Sequence, residues 1–180
     1  SCGVNTVQTP DGKWTNWSIN RSAVHDKNTM KGYWMETQHN GQIFKMWQEK
    51  GEGDMPFAIA FGVPPVCAWQ SSSRIPDFVD HYDVASQMLN APIEMVKCET
   101  NDLMVPATSE VVIEGFVSLT ETLMEGPYGE HAGYHFEDKV LPKPRQNITC
   151  MTFRNNAILP LAVPAVTPNS TVIGIAVCNS

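Results

Sequence analysis

The stretch EGPYGE places two carboxylates, Glu125 and Glu130, five residues apart, with Gly126, Pro127 and Gly129 between them. Glycine and proline bend the backbone and let it approach a partner closely. Two carboxylates held in different surroundings take different pKa values and can divide the roles of acid and base. A solvated acidic turn has the same composition, and spacing alone does not separate the two readings. A cation suited to such a site is Arg21, the only one in the segment WTNWSINR from Trp14 to Arg21. Its guanidinium is always charged and forks onto carboxylate or phosphate, although a surface arginine is the plain alternative. Ser71 and Ser72, in QSSSR, offer small hydroxyls and turn amides. Such a turn can form an anion nest, or simply a polar loop.

These residues need a scaffold, and strand-like runs supply most of it. TVQT, FAIAFGV, EMVKCET, SEVVIEGFVSL, NITCMTF and TVIGIAV are short and rich in apolar or β-branched residues. Turn signals fall between them at TPDG, GEGD, GVPP, EGPYG and LPKP, the last being Leu141 to Pro144. Two segments carry helical spacing. Asn40 to Lys50 has Ile43, Met46 and Trp47 at i, i+3 and i+4, and Asp80 to Leu89 has Val84 and Met88 with Asp80 as the cap. Many strands with few helices predict a mainly β (α+β) domain: a closed or partly open barrel with two or three flanking helices. Lys97 and Glu99 alternate within KCETND, so a strand there would set them on one face as a scaffold pair.

Composition narrows the function. The 180 residues are the size of one domain, 1–180, large enough for its own core. A net charge of −7 with only 12 lysines and arginines argues against nucleic acid and against an anionic membrane surface. No run has transmembrane length and no signal-peptide pattern is present. The five cysteines are scattered without a CxxC pair, which fits free thiols in a reducing, cytoplasmic setting. Four Asn-x-Ser/Thr sequons occur; two, at Asn16 and Asn20, overlap WTNWSINR and read as coincidence. The chain opens on SCGVNT without methionine, the expectation being a processed or excised piece.

Taken together, WTNWSINR, VHDKNTM (Val24–Met30), Gln38-His39, PFAIAFGVPP (Pro56–Pro65), VKCETNDLMVPATSEVVIEG (Val96–Gly115), EGPYGE and RNNAILP (Arg154–Pro160) resemble the UbiD family of reversible decarboxylases. Within it the likeness is greatest to the fungal ferulic (cinnamic) acid decarboxylase branch. The resemblance covers nearly the whole chain but only the family's central domain, a split β-barrel that binds flavin. The N-terminal α/β domain and the C-terminal closing, dimer-forming domain of that family have no counterpart in these 180 residues.

The resemblance implies prenylated FMN as cofactor, supplied by a flavin prenyltransferase. It implies reversible, non-oxidative loss of carbon dioxide from an α,β-unsaturated, cinnamic-type acid. Arg21 would pair with Glu125 and reach cofactor and substrate carboxylate, and Glu130 would deliver the proton that replaces carbon dioxide. Trp14, Ile19 and Gln38 would line the flavin, with His39 beside it and Ser71 and Ser72 near its phosphate. The family holds that phosphate through a manganese-like divalent ion, with potassium nearby, on Asn, His and Glu ligands. Asn16 and His39 match the first two, but His81 stands where the family has glutamate. A neutral imidazole there removes one negative charge from the metal site, so zinc or another borderline ion competes. A helix-capping or surface role is the plainer reading of His81. The resemblance also admits a homo-oligomer. The competing hypothesis is a stand-alone flavin- or metal-binding module without catalysis, separable from the first by carbon dioxide release.

Overall fold

The computed structural model describes residues 3–128 and 140–161 of the chain. The chain starts as a hairpin. β1 (Val4–Gln8) turns at Thr9–Gly12 into β2 (Thr15–Ser18), pairing Asn5 with Ser18 and Gln8 with Thr15. Gly12 closes the turn at φ 73°, donating its N–H to Thr9 O at 2.9 Å. A second hairpin joins β3 (Ser22–Val24) to β4 (Thr29–Gly32). Helix α1 (His39–Lys50) follows, then β5 (Met55–Phe61), α2 (Pro65–Gln70) and α3 (His81–Leu89). A small hairpin, β6 (Met95–Lys97) and β7 (Met104–Pro106), precedes the two long strands β8 (Val111–Glu125) and β9 (Leu141–Phe153).

The main sheet is antiparallel throughout, in the order β2-β1-β5-β8-β9-β4-β3. Its two edge strands, β2 and β3, are joined by only three residues, Ile19, Asn20 and Arg21. Laid flat, six strand spacings of about 4.8 Å would part the edges by roughly 29 Å. Four extended residue steps reach at most about 14 Å. The sheet therefore curls into a half-barrel, and the expected barrel with flanking helices is what the chain forms. Breaks in register at Glu114/Gly115 and between Val117 and Thr122 help the β8–β9 ribbon bend. Gly115 is required there, because a Cβ would sit 1.9 Å from the Asn147 carbonyl oxygen.

Inside the curl lie Val7, Trp14, Met30, Ile43, Met55, Phe57, Ile59 and Val117, all buried. Helix α1 covers this core with Ile43 and Trp47, as its spacing predicts, and with Phe44 in place of the expected Met46. The Trp47 indole N–H donates to Gln8 O at 2.8 Å, satisfying the one polar group that packing would strand. A second core of Val4, Trp17, Cys67, Ala85 and Ile93 holds α2 and α3 against the β1–β2 side.

Four local expectations change. GVPP does not end in a turn: Pro64 precedes α2 and Pro65 is its first residue, a position where the missing N–H has no helical partner to lose. LPKP lies inside β9, opposite Thr122 to Glu125, beyond the three β9 residues that pair with β4. This stretch is paired on one flank only, the setting in which a strand tolerates proline. Asp80 does not cap α3 through its side chain; its Oδ1 accepts the Thr15 N–H at 2.9 Å. Lys97 and Glu99 share no strand face, since β6 ends at Lys97 and Lys97 pairs with Asp102 at 2.6 Å. Instead the buried Glu114 carboxylate organises that loop, accepting the N–H groups of Glu99 (3.0 Å) and Thr100 (2.7 Å) and the Thr100 hydroxyl (2.8 Å). The TVIGIAV run lies outside the described residues.

Candidate functional site

Two long-range ties build the site. The Trp14 indole donates to Val79 O at 3.0 Å, and Thr15 N–H donates to Asp80 Oδ1. They clamp the start of α3 onto the start of β2, so His81 comes beside Asn16. A cleft of about 720 Å³ opens between β2 with the following Ile19, the start of α1 with the residues before it, the turn after α2 and the start of α3. Asn16, Ile19, Gln38, His39, Ser71, Ser72 and His81 all line it. Seven of the residues singled out in the sequence thus meet in one place, although up to 65 positions separate them.

Trp14 does not line the cleft. It is 1% exposed, packed in the core with its ring edge-on to His39 at 4.9 Å. Trp17 is equally buried: its indole packs in the second core, edge-on to Tyr82, while its strand neighbours Asn16 and Ser18 turn to Asn40 on the cleft side.

A chain of amides runs along the cleft wall. Asn16 Nδ2 donates to Asn40 Oδ1 at 2.5 Å, Asn40 Nδ2 donates to Ser18 Oγ and to Asn20 Oδ1, and Asn20 Nδ2 donates to Tyr33 O at 3.0 Å. Asn40 was silent in the sequence, yet it is 1% exposed and orients the rest. Because Asn16 spends its Nδ2 on Asn40, its Oδ1 faces His39 Nδ1 at 3.2 Å. The other His39 nitrogen, Nε2, lies 2.9 Å from Asp77 Oδ1. When Nε2–H donates to Asp77, Nδ1 and Asn16 Oδ1 are two acceptors turned toward each other, which a cation between them would satisfy. His81 is 3% exposed; burial, and then the nearby His39, lower its pKa to about 4. It is therefore a neutral imidazole at neutral pH, and its Nδ1 has no hydrogen-bond partner among the described residues. An orphaned buried nitrogen, a second imidazole and a fixed amide oxygen fit a divalent metal ion. The set holds no carboxylate, which tilts it from hard ions toward zinc-like ones. Among the described residues no group of three or more His, Cys, Asp or Glu gathers as a metal centre.

The serine turn differs from an open nest. Ser71, Ser72 and Ser73 donate their N–H groups to α2 carbonyls, and their hydroxyls donate to Ala68 O and Trp69 O. The amides are committed, so an anion here would rely on rotated hydroxyls and on Arg74, which also lines the cleft.

At the near end of the link, Arg21 grips Glu125 in two-point fashion: Nη2 to Oε2 at 2.7 Å and Nε to Oε1 at 3.3 Å. The carboxylate is 1% exposed while the guanidinium is half exposed. The Glu125 hydrogen bonds raise the Arg21 pKa further, so the guanidinium keeps its charge. Arg21 also rests over the rings of Tyr33 (4.8 Å) and Tyr128 (5.1 Å). Glu130 lies outside the described residues. Asn16, the first sequon residue, is too buried to carry a glycan.

Comparison with known proteins agrees with this geometry. Residues 1–167 match the family described as UbiD, 3-octaprenyl-4-hydroxybenzoate carboxy-lyase Rift-related domain. Ferulic acid decarboxylase 1 of Saccharomyces cerevisiae is 46% identical over 170 residues, which is 94% of this chain and 34% of that protein. Pyrrole-2-carboxylic acid decarboxylase of Pseudomonas aeruginosa is 38% identical over 174 residues, 96% of this chain and 35% of that protein. The structure of an evolved dimeric form of the UbiD-class enzyme HmfF from Pelotomaculum thermopropionicum, in complex with prFMN, superposes with a TM-score of 0.79 at 30% identity, over 87% of this chain and 36% of that one. The chain spans about a third of the length of the relatives it matches.

Proposed function

Since the chain belongs to the UbiD family, we propose that it forms the flavin-binding part of a prenylated-FMN-dependent decarboxylase. Its substrates would be acrylic acids of the cinnamic type. The observation that carries this reading is the buried Glu125 carboxylate forked by Arg21, two residues along the chain from Ile19, which lines the cleft. The curated relatives are decarboxylases of ferulic and pyrrole-2-carboxylic acids, and a related structure holds prFMN, which supports the assignment.

Within this reading, Ile19 and Gln38 flank the flavin, and Ser71, Ser72 and Arg74 face its phosphate. When bound, prenylated FMN would supply the dipolar reactivity that activates an α,β-unsaturated acid toward loss of its carboxylate. Asn16, His39 and His81 would hold a divalent ion against the phosphate, with potassium nearby. Arg21 orients the substrate carboxylate, and Glu125 holds the guanidinium so that its free edge faces the ligand. Glu130 is the proton donor that replaces carbon dioxide.

The test is to produce the chain together with a flavin prenyltransferase and to follow carbon dioxide release from cinnamic and sorbic acids. Release that depends on Arg21 supports the decarboxylase. Flavin absorbance and copurified metal without release, in this chain and in one carrying the further domains of its relatives, would leave a binding module instead.

A further inference from the structure

Lys143 comes from β9, opposite Leu123 of β8, and turns toward the Arg21–Glu125 pair. Its Nζ sits 3.9 Å from the centre of the Tyr33 ring, the ring over which Arg21 also rests at 4.8 Å. Two cations therefore share one aromatic ring, and through the ring centre their charges lie within about 9 Å. Glu125 is already engaged at two points by Arg21. Among the described residues Lys143 forms no ion pair, whereas the neighbouring Arg145 is paired with Glu121 and Lys31 donates to Met124 O. Among the described residues the cluster thus carries two positive charges against one negative charge. Burial, with the nearby Arg21, lowers the Lys143 pKa, while Glu125 opposes the change. Two cations held together on a partly dry aromatic platform form a seat for an anion. A carboxylate accepts charged N–H bonds of about 2.7–2.9 Å on each of its oxygens, so one carboxylate can reach both across such a span. The Asn20 side chain ties this place to the cleft, accepting from Asn40 and donating to Tyr33 O.

We propose that Lys143 and Arg21 form a two-cation seat for the substrate carboxylate, with Tyr33 as its floor. This rests on the decarboxylase reading of the site. The role differs from that of an acid or base. The carboxylate leaves as neutral carbon dioxide, so the ammonium favours the bound acid more than the state in which the charge departs. An interaction of that kind governs KM and does not raise kcat.

The experiment compares the wild-type flavin-loaded chain with Lys143→Met and Lys143→Arg. It measures kcat and KM for cinnamic acid, and calorimetric binding of 3-phenylpropanoic acid and its uncharged amide, neither of which can lose carbon dioxide by this route. The expected result for Lys143→Met is a rise of about 10-fold in KM and in the dissociation constant of the acid, as for loss of one charge-assisted hydrogen bond. The kcat holds or rises, amide binding is unchanged, and Lys143→Arg restores most of the acid affinity. Unchanged affinity for the acid in Lys143→Met overturns the proposal, as does equal weakening of acid and amide, which would mark a packing role. A wild type that binds the acid without turning over cinnamate, both in this chain and in one carrying the further domains of its relatives, would refute the decarboxylase reading instead. The acid–amide comparison still decides the role of Lys143 in that case.

Discussion

Replacing Arg21 with methionine should cost the chain stability as well as any activity. Glu125 keeps its carboxylate 1% exposed, and Arg21 meets it at 2.7 and 3.3 Å. Removing one partner of a fully buried ion pair typically costs about 3–5 kcal/mol, because the other charge is left unpaired. Arg21 is half exposed, so water screens part of that loss and the lower figure of about 2–3 kcal/mol applies here. In a chain of this size each kcal/mol shifts Tm by roughly 2–4 °C, giving a fall of about 5–10 °C. Urea denaturation followed by tryptophan fluorescence measures it directly. The double variant Arg21→Met/Glu125→Gln should recover most of the loss, because a neutral amide in the pocket no longer needs a cation. A coupling of about 1.5 kcal/mol or more is expected from the full cycle. A loss below about 0.5 kcal/mol in Arg21→Met, or a double variant no more stable than the single one, would refute the argument that Arg21 compensates a buried charge.

Other outcomes follow from the same structure. Glu130→Gln keeps size and hydrogen bonding but removes the proton; turnover should fall on the order of 10²–10⁴-fold with flavin absorbance unchanged, and equal turnover would remove Glu130 as the acid. Gly115→Ala places a Cβ 1.9 Å from Asn147 O, so the β8–β9 bend must shift. A loss of more than about 2 kcal/mol by denaturation is expected, against about 1 kcal/mol of gain if no clash existed. Burial raises the thiol pKa of Cys67 to about 11 and of Cys98 to about 12. In alkylation at pH 8 mapped by mass spectrometry, Cys150 should be labelled well before either, and early labelling of Cys98 would contradict its packing.

Residue types and local periodicity were enough to read most of the elements and to single out candidate residues. Apolar runs such as FAIAFGV and SEVVIEGFVSL form strands, Ile43 and Trp47 mark the side of α1 that meets the core, and Glu125, Arg21 and the clustered serines stand out as candidates for anion and acid–base chemistry that local pattern alone does not separate from an acidic turn and a polar loop. Those features depend on a residue and its near neighbours. Local pattern could not supply α2, because the two prolines that read as a turn also suit a helix start. It could not show the serine amides as already bonded, since only the placed helix end consumes them. Nor could it show that Trp14 and Trp17 are both core residues, because what packs against each indole comes from distant segments. Tertiary structure alone decided the meeting of Arg21 with Glu125 across 104 positions, of His81 with Asn16, and of Lys143 with Tyr33. The three-residue link between the edge strands forces the sheet to curl, and the Trp14 and Thr15 hydrogen bonds seat α3 on β2. Strand order and curvature are collective properties of the whole sheet, so the juxtapositions that make the site appear only when every strand has found its neighbours.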